Sequence, residues 1–209
     1  MFDYIRDPAA IYQQSFATVR DEADLSGLTA EEADLAVRLI HACGMPDIAE
    51  DLEFSSGAVA AGKAALHSGA TILADVEMVR NGIIRARLPA ENPVRCTLHD
   101  DGVGAKALGQ STTRSAAAVD LWGDALTGAV VAIGNAPTAL YRVLELIEGG
   151  AAPPAMIAAF PVGFVGAKES KDTLIAHAPQ WGVPYITLKG RRGGSALAAA
   201  CINGLVGQP

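Results

Sequence analysis

The sequence predicts an α/β fold: a three-layer α/β/α arrangement around a mostly parallel sheet, in a single domain over residues 1–209. N-terminal helices over about 7–69 are expected to pack on an α/β core over about 70–205. Three observations predict it. Short, continuously apolar runs alternate with helical segments through the second half of the chain, as strands buried on both faces of a parallel sheet do. Each of the last three runs leads through a glycine-bearing turn into a helix. The chain of 209 residues is 50% hydrophobic and 19% charged, with mean hydropathy +0.26, enough apolar surface for one large core or for further burial by self-association.

In chain order, Asp7 as cap and Pro8 at the first helical position start a helix of about three turns, with Ile11, Ser15 and Val19 spaced four apart. Ser15 thus interrupts an apolar stripe. Thr29 followed by Glu32 has capping-box spacing, so a second helix begins there. It runs to about Gly44, which suits the left-handed C′ position, and Pro46 stops it. An Ala-rich helix spans Gly57 to His67 and ends at Gly69. Thr71–Asp75 is a buried strand, with Asp75 placed to cap the turn Val76–Val79. Val94–Leu98 is a second strand. A polar loop follows from His99 to Gln110, and Ser111–Ser115 opens another Ala-rich helix.

The last third repeats strand, turn and helix. Ala129–Ile133 leads through Gly134-Asn135-Ala136-Pro137-Thr138 to a helix ending at Glu148; Ala155–Phe160 leads through Pro161–Gly166 to a helix around Glu169–His177; Pro184–Leu188 leads through Lys189–Ser195 to a helix reaching Asn203. In such sheets ligands bind beyond the carboxyl ends of the strands, where free helix N–H groups point.

A net charge of -7 and a pI near 5.0 argue against general affinity for nucleic acid or anionic membrane, since the long-range field repels both. Cys43, Cys96 and Cys201 are odd in number, widely spaced and set in apolar runs, so they read as core fillers of a reducing cytoplasm. No apolar run reaches the ~18 residues of a spanning helix, and the N-terminus lacks a basic-then-apolar export signal, which leads us to expect a soluble, unexported protein.

The chemistry concentrates on the second helix. Asp34, Arg38 and His41 are spaced four and three apart and rise from one face, while Leu35, Leu39 and Cys43 share another. A solvated stripe with Asp34 paired to Arg38 would explain this face alone; three glycine turns converging later in the chain favour a helix-borne acid facing an anion-binding cleft. The hydroxyls of Thr112 and Thr113 beside Arg114, and the loop carrying Lys189, Arg191 and Arg192, suit a ligand with several carboxylates. Helix capping would account for one of those threonines without Arg114. No turn has the spacing of a dinucleotide loop or a P-loop. His99-Asp100-Asp101 reads as a turn rather than a metal cluster, because adjacent residues seldom converge on one ion. His67 and His177 read as exposed helix ends, and Ser170 with its neighbouring lysines as a charged helical turn without the context of a nucleophile.

Taken together, Ser15-Phe16, Arg38-Leu39-Ile40-His41, Asp75-Val76-Glu77-Met78-Val79, Thr113-Arg114-Ser115, Ile133–Leu140, Pro161–Lys171 and Gly193-Gly194-Ser195 resemble the precorrin-8X methylmutases, or precorrin isomerases, of cobalamin biosynthesis. The likeness runs in one order from about Asp7 to Asn203, with no departure at a motif position. It implies a homodimer that moves a methyl group from C-11 to C-12 of precorrin-8X to give hydrogenobyrinate, without a cofactor or metal. It further implies His41 as proton donor to a ring nitrogen, Ser15 and Arg38 as substrate-contacting neighbours, and Thr113-Arg114 as a carboxylate clamp reaching across the dimer. Two other readings remain: a non-catalytic tetrapyrrole carrier and a nucleotide-dependent α/β enzyme.

Overall fold

The structure, a computed structural model, describes residues 2–207. In chain order its elements are α1 (Pro8–Glu22), α2 (Ala30–Cys43), a 3-10 turn (Pro46–Asp51), β1 (Leu52–Phe54), α3 (Ala58–His67), β2 (Ile72–Ala74), α4 (Glu77–Gly82) and β3 (Val94–Arg95). There follow α5 (Val103–Gly109), α6 (Arg114–Val119), β4 (Val130–Ile133), α7 (Pro137–Glu148), β5 (Met156–Ala159), α8 (Ala167–Trp181), β6 (Tyr185–Leu188) and α9 (Ser195–Leu205). The strand order is β1-β6-β5-β4-β2-β3, parallel throughout except for β1, which runs antiparallel to β6.

The side-chain period of two divides the core. Ile72, Ala74, Val130, Ala132, Met156 and Ala158 face one apolar cluster, which they share with α1, α2, α3, α4 and α9. Leu73, Val131, Ile133, Ile157 and Ala159 face the other, with α7, α8 and Val119 of α6. The strands are therefore apolar at every position because both faces are covered. That is the three-layer α/β/α arrangement expected.

Local chemistry sets the helix ends. Asp7 accepts from the amides of Ala9 and Ala10, and Pro8 opens α1. Thr29 and Glu32 form the reciprocal capping box of α2, and Gly44 closes it at φ 70. Three expectations need correction. Asp75 leaves α4 without a side-chain cap and instead binds the turn after β4. The loop His99–Gln110 contains α5, whose N-cap is Gly102 in the left-handed region. The edge strand β1 lies inside a segment expected to be purely helical.

At the carboxyl edge the three glycine turns pack on one another: the Val162 amide donates to Asn135 O (3.4 Å), Gly163 N to Arg191 O (3.2 Å) and Gly194 N to Phe160 O (2.8 Å). Gly134 must be glycine, since a Cβ there would stand 2.6 Å from Val79 Cγ2 and 2.7 Å from Ser195 Cα. The register Leu52↔Leu188 continues as Lys189 N donating to Asp51 O (2.8 Å). Arg192, in the turn after β6, pairs with Asp47 and with Asp51 (2.7 Å). The 3-10 turn that follows α2 is thereby tied to the carboxyl end of β6, which brings the end of α2 to the same edge.

Candidate active site

Helices α1 and α2 bring Ser15 and His41 together across 26 positions of sequence: Ser15 Oγ lies 2.7 Å from His41 Nδ1. Each residue comes from a helix with a fixed start, so capping chemistry at Asp7 and Thr29 sets where both side chains stand. The imidazole is flanked by two rings of α1. Tyr12 lies tilted over it with centroids 5.5 Å apart, and Phe16 meets it edge-on at 5.2 Å. With Nδ1 engaged by Ser15, Nε2 has no hydrogen-bond partner among the described residues. His41 and Ser15 line a groove of about 490 Å³, in the size range of small-molecule sites, whose walls include Ile5, Ile11, Val19 and Ile40.

Arg38 does not pair with Asp34. Asp34 is taken by Arg20 of α1 at 2.5 Å, whereas Arg38 turns inward and is 8% exposed. Its guanidinium stands 6.0 Å from the Phe16 ring centroid. Burial lowers its pKa, and the charge of Arg87 lowers it further. It has no ion-pair partner among the described residues, so a cation stands buried one turn from His41.

Thr113 and Arg114 lie elsewhere. Thr113 caps α6, accepting from Ala116 N (3.1 Å), and its hydroxyl meets that of Thr138 on α7 at 2.7 Å. Arg114 is exposed and donates from Nη2 to Leu98 O (3.2 Å), with no ion pair among the described residues. Neither residue lines the His41 groove, and α6 packs in the opposite helical layer from α2.

The other cations at the carboxyl edge are mostly neutralised. Besides Arg192, Lys189 pairs with Glu53 at 3.2 Å, and Arg191 alone of that loop faces outward, 5.5 Å from the Phe164 ring. The α7 N-terminus, expected to face a ligand, is filled by Asp75 from within the protein. Ser170 and Lys171 are fully buried rather than part of a charged turn: Ser170 Oγ donates to Ala167 O (3.1 Å), and Lys171 Nζ to Arg192 O (2.7 Å). Burial pushes the pKa of Lys171 down to about 8. Lys168 is the surface member of that run, paired with Asp172 at 2.5 Å. Among the described residues no group of three or more His, Cys, Asp or Glu side chains is placed to hold a metal ion.

Sequence reasoning gave no role to Tyr12. The Tyr12–Phe16 spacing of four is the signal for it, since it brings two rings edge-to-face on the face that carries Ser15.

A mostly parallel α/β fold presenting a histidine braced by a hydroxyl in an apolar-walled groove has the geometry that small-molecule enzymes of proton-transfer chemistry use. A model of the precorrin-8X methylmutases matches residues 10–208. A relative from Pseudomonas aeruginosa named precorrin-8X methylmutase is 58% identical over 205 residues, covering 98% of each chain. A cobalt-precorrin-8 methylmutase of Priestia megaterium is 33% identical over 95% of this chain and 87% of its own. The crystal structure of the precorrin-8X methylmutase of Thermus thermophilus superposes with a TM-score of 0.84 at 37% identity, covering 94% of this chain and 96% of that one. The chain belongs to the precorrin-8X methylmutase family, isomerases of cobalamin biosynthesis.

Proposed function

We propose that the chain moves the C-11 methyl group of precorrin-8X to C-12, giving hydrogenobyrinate, with His41 as proton donor to a ring nitrogen. The observation that carries this reading is the 2.7 Å Ser15–His41 contact. In the imidazolium, Nδ1–H donates to Ser15 Oγ while Nε2–H points at the ligand. After transfer, neutral imidazole keeps Nδ1–H on the same oxygen, so one serine serves both protonation states without moving.

Protonating the conjugated ring makes the migration terminus electron-poor. The C-11–methyl bond then breaks as the C-12–methyl bond forms on the same face, and the proton returns to His41. Atoms and electrons balance within the substrate, so no external nucleophile, oxidant or reductant enters. The apolar wall suits the disc of the macrocycle, and Ser15, Arg38, Thr113 and Arg114 suit the carboxylates at its edge. The relative at 58% identity carries the precorrin-8X name and the one at 33% the cobalt-precorrin-8 name, which favours the metal-free substrate.

The Thr113-Arg114 clamp completes the site from the partner of a homodimer. Its support is the separation of Arg114 from the His41 groove within one chain, together with large apolar side chains left exposed: Met78, Leu108, Phe164 and Val165. The test is the visible spectrum on mixing with precorrin-8X. Conversion to the bands of the corrin is expected; a shift of the precursor's bands without conversion would leave a carrier instead.

A further inference from the structure

We propose that Asp75 is a positioning residue for Arg114, acting through the Gly134–Ala136 turn, Thr138 and Thr113. The inference rests on the reading of Arg114 as the carboxylate clamp.

Asp75 is the buried acid of the structure among the described residues, 3% exposed, and no cation pairs with it. Burial raises its pKa, and backbone amides alone oppose that shift. Oδ1 accepts from Gly134 N (2.8 Å), and Oδ2 from Asn135 N and Ala136 N (both 2.9 Å). These amides belong to the turn just before α7, a helix that starts at Pro137 and whose N-cap, Ala136, has no polar side chain to offer. Asp75, immediately after β2, therefore ties down the turn that leads into the twelve-residue helix α7, reaching 61 positions along the chain to Ala136. On its other side the turn is pressed at Gly134 against Val79 and Ser195. The carboxylate thus fixes where α7 begins.

What α7 then holds is the clamp. Thr138 sits in its first turn and meets Thr113 at 2.7 Å; Thr113 caps α6, and Arg114 is the first residue of α6. Each link is a hydrogen bond into a helix start, where a displacement of the helix carries its side chains along. A carboxylate offers two oxygens to three amides. An asparagine offers one oxygen and turns an N–H toward a donor, so the same-sized Asp75→Asn must shift the turn.

The test uses full-length Asp75→Asn, Thr138→Val, Arg114→Ala and the double variant Asp75→Asn/Arg114→Ala. Hydrogenobyrinate binding is titrated by visible absorbance, and turnover is measured on precorrin-8X. Asp75→Asn is expected to raise Kd and KM together by about tenfold, with kcat within about threefold of wild type, and to add nothing to the loss already present in Arg114→Ala. A residue that only braced the Gly134–Ala136 turn for stability would lower Tm and leave Kd and KM of the folded protein unchanged. Wild-type affinity in folded Asp75→Asn, or losses that multiply in the double variant, would overturn the proposal.

Should Asp75→Asn fail to fold, Thr138→Val decides the matter. It is expected to raise Kd by about threefold in wild type and not at all in an Arg114→Ala background, and multiplying losses there overturn the proposal equally. Arg114→Ala binding like wild type would remove the clamp and the positioning role together. A weak Arg114→Ala with multiplying factors removes the positioning role alone.

Discussion

His41 occupies the last turn of α2, and what distinguishes it from an ordinary surface histidine is its surroundings. One ring nitrogen is tied to Ser15, and the ring edges are enclosed by Tyr12 and Phe16. A ring so held loses little orientational freedom when ligand arrives, and positioned acids of this kind contribute roughly 10²–10⁴-fold to rate. His41→Asn is therefore expected to lower turnover by about 10²-fold or more while leaving macrocycle affinity near wild type. Steady-state turnover beside a binding titration checks it, and near-normal turnover in a folded variant removes His41 from the mechanism. In the sequence, spacing on one helix singles out His41, whereas its meeting with Ser15 of α1 is a contact between helices that spacing alone does not show. Arg38 was less legible. Its i,i+4 relation to Asp34 suggested an ion pair, but Asp34 finds Arg20 on a neighbouring helix and Arg38 is left to the interior.

At the scale of elements, legibility follows the distance over which the determining contact acts. The starts of α1 and α2 were readable because their capping partners lie within three residues. The short strand β1 was not, since Leu52-Glu53-Phe54 carries no periodic signal and is held by pairing with β6. Asp75 was misread for the same reason: nothing near it in sequence announces amides beyond residue 130. Lys171 was hidden inside a charged run, and its burial against the turn after β6 has a measurable consequence. Its amine titrates near about 8 in the folded protein and at 10.5 when unperturbed, because burial disfavours the charge. Between those values the unfolded chain binds more protons than the folded one, so stability rises with pH. Below about pH 8 the penalty of the buried charge is complete; above 10.5 it is gone. The stability of wild type relative to Lys171→Met is therefore expected to be flat below about pH 8 and to climb through this window, as followed by chemical denaturation at a series of pH values. A difference that stays constant from pH 8 to 10.5 would mean that Lys171 is not held in a desolvated setting.

At the scale of the whole molecule, the proposed site falls in two parts of one subunit. The acid groove lies between α1 and α2 on one face of the sheet, and Arg114 opens α6 in the layer on the other. Arg114 is exposed without an ion pair among the described residues, and Phe164 and Val165 are 85% and 89% exposed along the edge where the glycine turns converge. The proposed two-fold dimer would account for both features, covering the apolar edge and setting each Arg114 opposite the partner's groove. His41→Ala, slow in turnover, and Arg114→Ala, weak in binding, should then complement when assayed at substrate well below KM. Random exchange makes half of the dimers mixed, and each mixed dimer has one doubly damaged site and one intact site. Activity should therefore return to about one quarter of wild type after subunit exchange. Exchange is verified separately by mixing differently tagged subunits and recovering the mixed species. If mixed dimers form and activity stays at the level of the separate variants, His41 and Arg114 do not act across the interface.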